Sequence, residues 1–400
     1  MANFIPFKAL RPKAELSHQV SDPPYDVLKL EEAQQIIEQN SFTILKATRP
    51  DAMIASDPQR EGQSEYDVAY EMFNQLKKEG LLEQEKQDCY HIYAQQMGEH
   101  TQYGMVGLCS VDDYWNNVIK KHEHTQPKKE NDRMKHVENL KAHLGPVLMT
   151  YRSNRLVNNI VSEAIENAPE IEFTASDQVA HKIWTIRDPK LVKQLQDGFK
   201  SVESIYIADG HHRTAAAAKV GKDAPNTQKG YFLAVLFPDD QMQILPYNRV
   251  VKNTSKSAQE LINELEEKFY ISETQRSAPE RPKCFHAYID EKWYLLELKS
   301  EAYPKGSIDR LDVSILQQFI LEPVFGISDP RTDFNLLYVG GIKSLAELEE
   351  EAKKSQGIAF SMYPTQLHEI FEIADSGNVM PPKSTWFEPK LRSGLFISQY

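Results

Sequence analysis

The chain has 400 residues, 40% of them apolar and 10% aromatic, and a formal net charge of -12 from 46 basic and 58 acidic side chains. This length is enough for one large core or two medium ones, since domains usually run to about 100–200 residues. An acidic chain repels phosphate backbones and anionic bilayers, which disfavours general nucleic-acid or membrane binding. Any phosphate chemistry therefore needs a local basic pocket.

Cysteine usage and the apolar stretches indicate the compartment. Cys89, Cys109 and Cys284 are far apart and form no C-x-x-C pair, so neither a disulfide framework nor a structural zinc site is expected. The first ten residues lack the apolar core of a signal peptide, and no stretch approaches the ~18 apolar residues of a membrane helix. We predict a cytoplasmic protein with no membrane and no nucleic-acid partner.

Helices and strands are predicted from hydrophobic periodicity along the chain. The predicted helices cover 65–82, 110–121 (with Ser110 and Asp113 as a capping box), 211–220, 258–269, 345–354 and 365–375 (closed by Gly377). The predicted strands cover 88–95, 103–108, 202–208, 231–237, 243–251, 285–289, 293–298, 336–339 and 358–362. Because helices and strands are mixed rather than strictly alternating, the fold class is α+β, or mixed α/β with a mixed sheet.

A polar stretch at 272–283, with two prolines, is the predicted linker or exposed loop. It divides the chain into a catalytic core, residues 1–271, and a C-terminal α/β lobe, residues 284–400.

The segment from Asp209 to Arg213 follows the buried strand and begins the alanine-rich helix. A helix start offers unpaired backbone N–H groups and a positive dipole end, which attract phosphate. Arg213 adds a planar fork, Thr214 a hydroxyl, and Gly210 lets the backbone approach a ligand closely. Asp209 is placed to bind magnesium or to accept a proton from an alcohol.

Two other interpretations of the paired histidines stay open. His211 and His212 can be a satisfied surface cap, or zinc ligands. Zinc is the weaker reading, because adjacent histidines leave a helix in different directions and no H-E-x-x-H pattern completes the site.

Three further segments carry charge. Near the C-terminus, Lys383, Ser384, Thr385 and Lys390 form a plausible anion cradle stiffened by prolines, with a solvated tail as the equal alternative. The run from His122 and Glu123 to Arg133 and His136 is predicted to be a helix end followed by a mixed-charge loop, most simply a solvated face. Asp26 and Arg49 could each supply one more charged group.

The chain has no P-loop, G-x-G-x-x-G, G-x-S-x-G or kinase H-R-D and D-F-G motifs, which disfavours those enzyme classes.

Taken together, these segments resemble a bacterial, archaeal and protist family catalogued as a domain of unknown function, over about residues 6–395. The segments that carry the resemblance are Pro23-Pro24-Tyr25-Asp26-Val27, His122-Glu123-x-Thr125 with Asp132-Arg133, Ile207-Ala208-Asp209-Gly210-His211-His212-Arg213, Leu311-Asp312-Val313 and Met380-Pro381-Pro382-Lys383-Ser384-Thr385. Some members of that family look like pyrophosphate-dependent kinases of free serine, related in fold to the ParB/sulfiredoxin-like group. Thr214, where an aromatic residue is more usual, and the Trp386-Phe387-Glu388 run depart from the family pattern and leave the donor open.

The resemblance implies transfer of a phosphoryl group from pyrophosphate or a nucleotide to L-serine, with Mg²⁺ as cofactor. The implied roles are donor binding by Gly210, His212, Arg213, Thr214, Lys383, Ser384, Thr385 and Lys390, catalysis by Asp209, Glu123 and His211, metal binding by Asp209, and serine binding by Asp26, Arg49, His122 and Arg133. The rivals are a ParB-like nucleotide hydrolase or switch and a non-enzymatic binding module for a phosphorylated metabolite. The sequence leaves a homodimer open.

Overall fold

Two units make up the structure, a computed structural model that describes residues 1–225 and 227–400. The first unit contains Met1–Met242 and Pro389–Tyr400, and the second contains Gln243–Glu388. Each has its own sheet, and they are described separately below.

Twelve strands are described in Met1–Met242, the larger part of the first unit. They are β1 (Phe4–Ile5), β2 (Leu10–Pro12), β3 (Leu82–Gln84), β4 (Tyr90–Met97), β5 (His100–Ser110), β6 (Ile119–Lys120), β7 (Ala142–His143), β8 (Val147–Tyr151), β9 (Ile171–Thr174), β10 (Ala180–Ile186), β11 (Ile205–Asp209) and β12 (Tyr231–Pro238). Nine of them form one sheet in the order β6-β11-β8-β12-β5-β4-β10-β9, with β1 paired to β5. The pairs β6–β11 and β8–β12 are parallel and the others antiparallel, so the sheet is mixed and the predicted fold class is confirmed.

Ten helices accompany this sheet. They are α1 (Ser17–Val20), α2 (Leu30–Gln39), α3 (Leu45–Thr48), α4 (Pro50–Ser56), α5 (Glu65–Lys78), α6 (Val111–Trp115), α7 (Pro127–Leu140), α8 (Arg155–Ala164), α9 (Pro189–Lys200) and α10 (His211–Gly221). One core cluster runs along the sheet and includes Ile205, Ile207, Phe232 and Leu236, each at most 1% exposed. The four alanines of α10 are buried too, and their small side chains let that helix lie close to its neighbours.

The second unit is built on an antiparallel sheet in the order β15-β17-β16-β19-β14-β18. Its strands are β13 (Gln243–Leu245), β14 (Tyr247–Val251), β15 (Phe269–Thr274), β16 (Cys284–Ile289), β17 (Lys292–Leu298), β18 (Leu336–Gly340), β19 (Ile358–Met362) and β20 (Trp386–Glu388). Its helices are α11 (Ala258–Leu265), α12 (Asp312–Leu316), α13 (Glu322–Phe325), α14 (Leu345–Lys354) and α15 (Leu367–Asp375), with a π-helical turn at Gln317–Leu321 between α12 and α13.

After the second unit, the chain returns to the first. Ser393 forms a β-bridge with Asp22, Ile397 forms one with Leu10, and a last strand, β21 (Ser398–Gln399), pairs with β7. The C-terminal residues are therefore part of the first unit's core.

The domain boundaries differ from the sequence prediction. The segment 272–283, predicted as a linker, joins β15 to β16, and both of those strands pair with β17 in one sheet. It is a connection inside the second unit, so the predicted split into 1–271 and 284–400 is replaced by boundaries after Met242 and Glu388.

Several element boundaries also need correction. The helix predicted over 110–121 ends at Trp115, and β6 follows it. Ser110 is its N-cap as predicted, but Asp113 accepts a hydrogen bond from the Asn3 amide instead of closing a capping box. The strand predicted over 243–251 is interrupted at Pro246, which has no N–H for the ladder. The helices predicted to reach 82 and 269 end at Lys78 and Leu265, and the one predicted from 365 begins at Leu367.

The charged run after His122 is mostly helical, contrary to the predicted loop. Helix α7 buries Glu130, His136 and Leu140, so its buried positions are largely polar and give no hydrophobic periodicity. None of the helices in residues 1–225 and 227–400 is long and apolar enough to cross a membrane.

Candidate active site

The turn between β11 and α10 brings the predicted central residues together. Gly210 is the N-cap of α10 with φ of 99°, a left-handed conformation that glycine adopts without a Cβ penalty. As the N-cap, Gly210 has no side chain that could accept a hydrogen bond from the first-turn amides. The first-turn amides therefore point toward the surface at which Asp209 ends its strand.

Asp209 lies between two cations. Its Oδ2 is 3.5 Å from Arg213 Nη2 and 4.0 Å from Lys390 Nζ, and about a third of its side chain is exposed. The β-strand register shifts between Ile207 and Asp209, a bulge that re-aims the end of the strand. Arg213 and Lys390 thus place two positive charges at the end of this strand.

Arg213 lies over the turn and has an unused donor. Its Nη1 donates to the Pro146 carbonyl at 2.6 Å, and its guanidinium would be 3.2–3.3 Å from a Cβ on Gly210. Its Nε is buried and has no hydrogen-bond acceptor among the residues that the structure describes. A buried donor without an acceptor is costly, and a bound anion oxygen would satisfy it.

The first histidine of the motif turns inward, toward His122 and Glu123. The His211 and His122 rings meet edge to face at 4.5 Å, and His211 Nε2 accepts the His122 backbone N–H at 3.5 Å. This bond assigns the proton to Nδ1, which lies 3.8 Å from Glu123 Oε2. Burial, followed by the neighbouring His122, His212 and Lys121, holds the pKa of His211 well below its usual value, so the ring is neutral near pH 7.

His122 is 2% exposed, and burial lowers its pKa to about 4 despite the nearby Asp209 carboxylate. Neither of its ring nitrogens has a partner of normal hydrogen-bond geometry in the described part of the chain, although the Ile207 carbonyl acts on its pKa. His122 was predicted to bind the substrate. The structure buries it against the His211 ring.

The second histidine points elsewhere, as the sequence indicated. His212 Nε2 accepts the backbone N–H of Gln126 at 3.0 Å, just before α7 begins. Thr125 and Lys219 both donate to the buried carboxylate of Glu130, which ties the same loop to α7 and α10. His212 thus contacts the segment that carries Glu123.

A small cavity of about 50 Å³ extends from Arg213. Arg133 and Tyr25 line it, with the Arg133 guanidinium 4.1 Å from the centre of the Tyr25 ring, and Ser393 lines it from the C-terminal segment. Burial, reinforced by Asp26, raises the pKa of Tyr25, so its phenol stays protonated at neutral pH. Tyr25 and Ser393 were not predicted as site residues. The local sequence features that could have drawn attention to them are the prolines before Tyr25 and the glycine after Ser393.

Two predicted binding groups are engaged within the protein. Arg49 donates to both oxygens of Asp51 and to the carbonyls of Tyr25 and Leu28, so its guanidinium anchors this turn and has little capacity left for a serine carboxylate. Thr214 is buried, and its hydroxyl donates to the Gly210 carbonyl at 3.1 Å. Asp26 is exposed, next to Tyr25.

The predicted C-terminal cradle is divided between the units. Lys390 belongs to the first unit and approaches Asp209, whereas Lys383, Ser384 and Thr385 belong to the second. Ser384 donates its hydroxyl to the Pro381 carbonyl at 2.6 Å, and Lys383 Nζ is 5.6 Å from the centre of the Tyr247 ring. Phosphate binding by these three residues stays a prediction.

A possible metal group lies away from this turn. Ligand atoms of Glu85, Cys89 and His91 lie within 4.8 Å of one another. However, Arg11 and Arg187 donate to the Glu85 carboxylate, and burial raises the pKa of Cys89 to about 12, which disfavours the thiolate that a metal needs. We infer no metal from this cluster.

Comparison with known proteins gives a family and distant structural likenesses. The family model described as "Protein of unknown function (DUF1015)" matches residues 4–314. No curated protein matches the chain.

Among solved structures, free serine kinase in complex with AMP is 17% identical, with a TM-score of 0.36, covering 72% of this chain and 90% of that one. A conserved hypothetical protein from Pyrococcus furiosus is 17% identical, with a TM-score of 0.34 and coverages of 72% and 94%. SbnI with a C-terminal truncation, from Staphylococcus aureus, is 12% identical, with a TM-score of 0.36 and coverages of 71% and 82%.

Proposed function

The chain belongs to the DUF1015 family of proteins of unknown function, and we propose that it is a phosphotransferase that moves a phosphoryl group from pyrophosphate or a nucleotide to the hydroxyl of free L-serine. The serine part of this proposal rests on the sequence resemblance of the Asp209 to Arg213 motif and its companions.

The observation that carries the phosphate part is the arrangement around Arg213. Its buried Nε has no acceptor in the described chain, and its Nη2 shares the Asp209 carboxylate with Lys390. These cations lie beside the start of α10, whose dipole also favours negative charge. A donor phosphate would supply the missing acceptor.

The reaction exchanges one phosphorus–oxygen bond for another. The serine hydroxyl oxygen attacks the terminal phosphorus of the donor, and the bond from that phosphorus to the bridging oxygen breaks. The products are O-phospho-L-serine and either inorganic phosphate or the shortened nucleotide, and the hydroxyl proton passes to a carboxylate. Catalysis of this kind depends on positioning and on cations that match the spread charge of the transition state.

Asp209 and Glu123 are the two candidates for the proton acceptor. Neutral His211, with its Nδ1–H toward Glu123, orients that carboxylate and is not itself a cation for the donor. Asp209 also suits Mg²⁺, which commonly takes one or two carboxylates together with phosphate oxygens and would screen the donor's charge when bound. In that case Glu123 is left as the base.

The direct test is to incubate the full chain with L-serine, Mg²⁺ and each donor in turn, reading phosphoserine by mass spectrometry. Pyrophosphate, ADP and ATP are the donors to compare. Phosphate release without serine would favour a nucleotide hydrolase instead, and tight binding of a phosphorylated metabolite without turnover would favour a binding module.

Asp209→Asn tests the central carboxylate. We expect turnover to fall at least ~100-fold, as for a lost general base or metal ligand, because the amide neither accepts the proton nor carries the charge. Melting temperature should change little, since the side chain is partly exposed. Asp223→Asn, an exposed change just beyond the end of α10, is the matched control and should keep full turnover. Near-normal turnover of Asp209→Asn would remove this residue from the chemistry.

A further inference from the structure

A second cavity, of about 390 Å³, lies wholly within the second unit. This volume is in the range of small-molecule sites. Arg249 and Tyr338 line it from the sheet, Ser314 and Gln317 line it from α12 and the π-helical turn, and prolines 381 and 382 complete it. The phosphotransfer proposal does not use this cavity.

Arg249 is a buried cation with no carboxylate partner. It is 3% exposed, and among the described residues no acidic side chain forms an ion pair with it. Its Nη1 donates to the Tyr247 and Asn248 carbonyls and its Nη2 to the Lys383 carbonyl at 2.9 Å. The guanidinium stacks 4.5 Å from the centre of the Tyr338 ring.

These bonds leave donors of Arg249 for a ligand. A guanidinium has five N–H groups, and the contacts above use three. The Nε–H and the second hydrogen of Nη2 have no acceptor among the described residues, and such a pair suits the two oxygens of a carboxylate. Burial lowers the pKa of Arg249 to about 10, so the side chain remains cationic at neutral pH. The carbonyls and rings around Arg249 carry no opposite charge, and a bound anion would compensate its buried charge.

Two polar atoms beside Arg249 also lack partners. The Ser314 hydroxyl and the Gln317 Oε1 are buried without a hydrogen bond in the described part of the chain, although Gln317 Nε2 donates to the Ile327 carbonyl at 2.7 Å. The widened π-helical turn precedes Pro323, which has no N–H to continue α-helical bonding. Gln317, a lining residue of the cavity, thus carries one acceptor that lacks a donor.

The charged side chains at the exposed edge of the cavity indicate which kind of ligand it would bind. Asp309 and Glu322 line the cavity and are exposed, so the lining carries one buried positive charge and two outer negative charges. A phosphate dianion would be repelled by these carboxylates, whereas an ammonium group would be attracted. A molecule with one carboxylate and one ammonium group matches both the buried cation and the outer carboxylates.

We propose that this cavity binds a small α-amino acid as a zwitterion, with its carboxylate on Arg249 and its ammonium group toward Gln317 Oε1 and the outer carboxylates. This is a binding site of the second unit, and it stands whether or not the first unit transfers phosphate.

Isothermal titration of the full chain with glycine, L-alanine and L-serine tests the site. We expect binding of these zwitterions, with acetate, methylamine and inorganic phosphate at least about tenfold weaker, since each lacks one of the two charge-assisted contacts or adds repulsion. Absence of amino-acid binding, or tighter binding of phosphate, would overturn the proposal.

Variants then locate the binding. Arg249→Gln and Gln317→Leu should each weaken glycine binding at least about tenfold, the loss expected for one charge-assisted hydrogen bond. Because a change at the buried Arg249 also affects folding, Gln317→Leu, at a partly exposed position, is the decisive variant. Arg331→Gln, at an exposed arginine of the same unit paired with Asp329, is the matched control and should bind normally.

Asp209→Asn distinguishes amino-acid binding in this cavity from amino-acid binding at the Asp209 site of the first unit. Under the proposal it retains glycine binding while Gln317→Leu loses it. The reverse pattern would assign amino-acid binding to the Asp209 site and leave this cavity without a ligand.

Discussion

At the scale of single residues, the β11–α10 turn depends on Gly210. Its positive φ places the strand end and helix start in a conformation that other residues adopt at a cost. Its missing Cβ also leaves room for the Arg213 guanidinium, the side chain with the unused buried donor. Gly210 therefore determines both the backbone conformation of the turn and the space open to Arg213.

Gly210→Ala should reduce both stability and activity. The left-handed backbone costs about 1–2 kcal/mol for alanine, and the new methyl would lie 3.2–3.3 Å from the Arg213 guanidinium and displace it. Gly62→Ala is the control, because Gly62 also has positive φ but nothing within 4 Å of its Cβ position. Urea unfolding and the phosphoserine assay measure both effects. Equal activity of the two variants would contradict a role for the Arg213 position.

At the scale of elements, α7 and α10 hold the loop that carries Glu123. Glu130 on α7 accepts hydrogen bonds from Thr125 in that loop and from Lys219 on α10. Burial alone would raise the pKa of Glu130, but these two partners outweigh it and the pKa is lowered. The carboxylate is therefore charged at neutral pH and joins three segments.

Glu130→Gln should lower the free energy of unfolding by about 1–3 kcal/mol, the usual cost of weakening charge-assisted hydrogen bonds to a buried group. Glu138→Gln, an exposed change on the same helix, is the control and should cost far less. Denaturant titration at pH 7 makes the comparison. Equal stabilities would mean that this carboxylate does not tie α7 to α10.

At the scale of the whole molecule, the C-terminal segment completes the first unit. Leu395, Phe396 and Ile397 are fully buried, and Phe396 packs against the rings of His91 and Tyr93. The same segment brings Lys390 to Asp209. The first unit thus needs residues that follow the second unit in the chain.

Removing residues 389–400 should prevent stable folding of the first unit. Three fully buried apolar side chains contribute roughly 5–9 kcal/mol at about 1.5–3 kcal/mol each, which is comparable to the whole stability of a typical protein. A chain ending at Gln399 is the control and should melt close to the full chain. Thermal melting followed by circular dichroism compares the two truncated chains with the full chain. An unchanged melting temperature of the 1–388 chain would refute this role.

Buried histidines make the stability sensitive to acid. Burial lowers the pKa of His136 to about 4, while the unfolded chain takes up its proton near pH 6.5. The unfolded state therefore binds more protons between these values, and stability falls as pH drops from about 6.5 to about 4, by up to about 3 kcal/mol for this residue. His122 acts in the same direction, whereas Asp22, whose pKa burial raises to about 6, opposes it.

His136→Gln should flatten this pH dependence. Urea unfolding at pH 7 and pH 4.5 gives the slope, and the variant should lose less stability between the two values than the natural chain does. His18→Gln, at an exposed histidine, is the control and should keep the full slope. Identical slopes for all three proteins would show that His136 is not held neutral by the fold.

Local patterns determined much of this protein. Short apolar runs predicted five of the six strands described in the second unit's sheet but four of the nine described in the first unit's sheet. The run ending at Asp209, with the alanine-rich stretch after it, predicted the strand, turn and helix of the candidate site. These features depend on residues close together in the chain, which is why periodicity and turn chemistry predict them. Helix α7 was not predicted, because its buried residues are mostly polar and give no hydrophobic periodicity.

Only the tertiary structure decided which charged groups meet. Arg49 was predicted to bind serine, yet Asp51 and nearby carbonyls occupy it, while Lys390 reaches Asp209 from the far end of the chain. It also decided the unit boundaries, since 272–283 is a connection between strands of one sheet. Such partnerships depend on packing between distant segments, and a sequence pattern carries no measure of that distance.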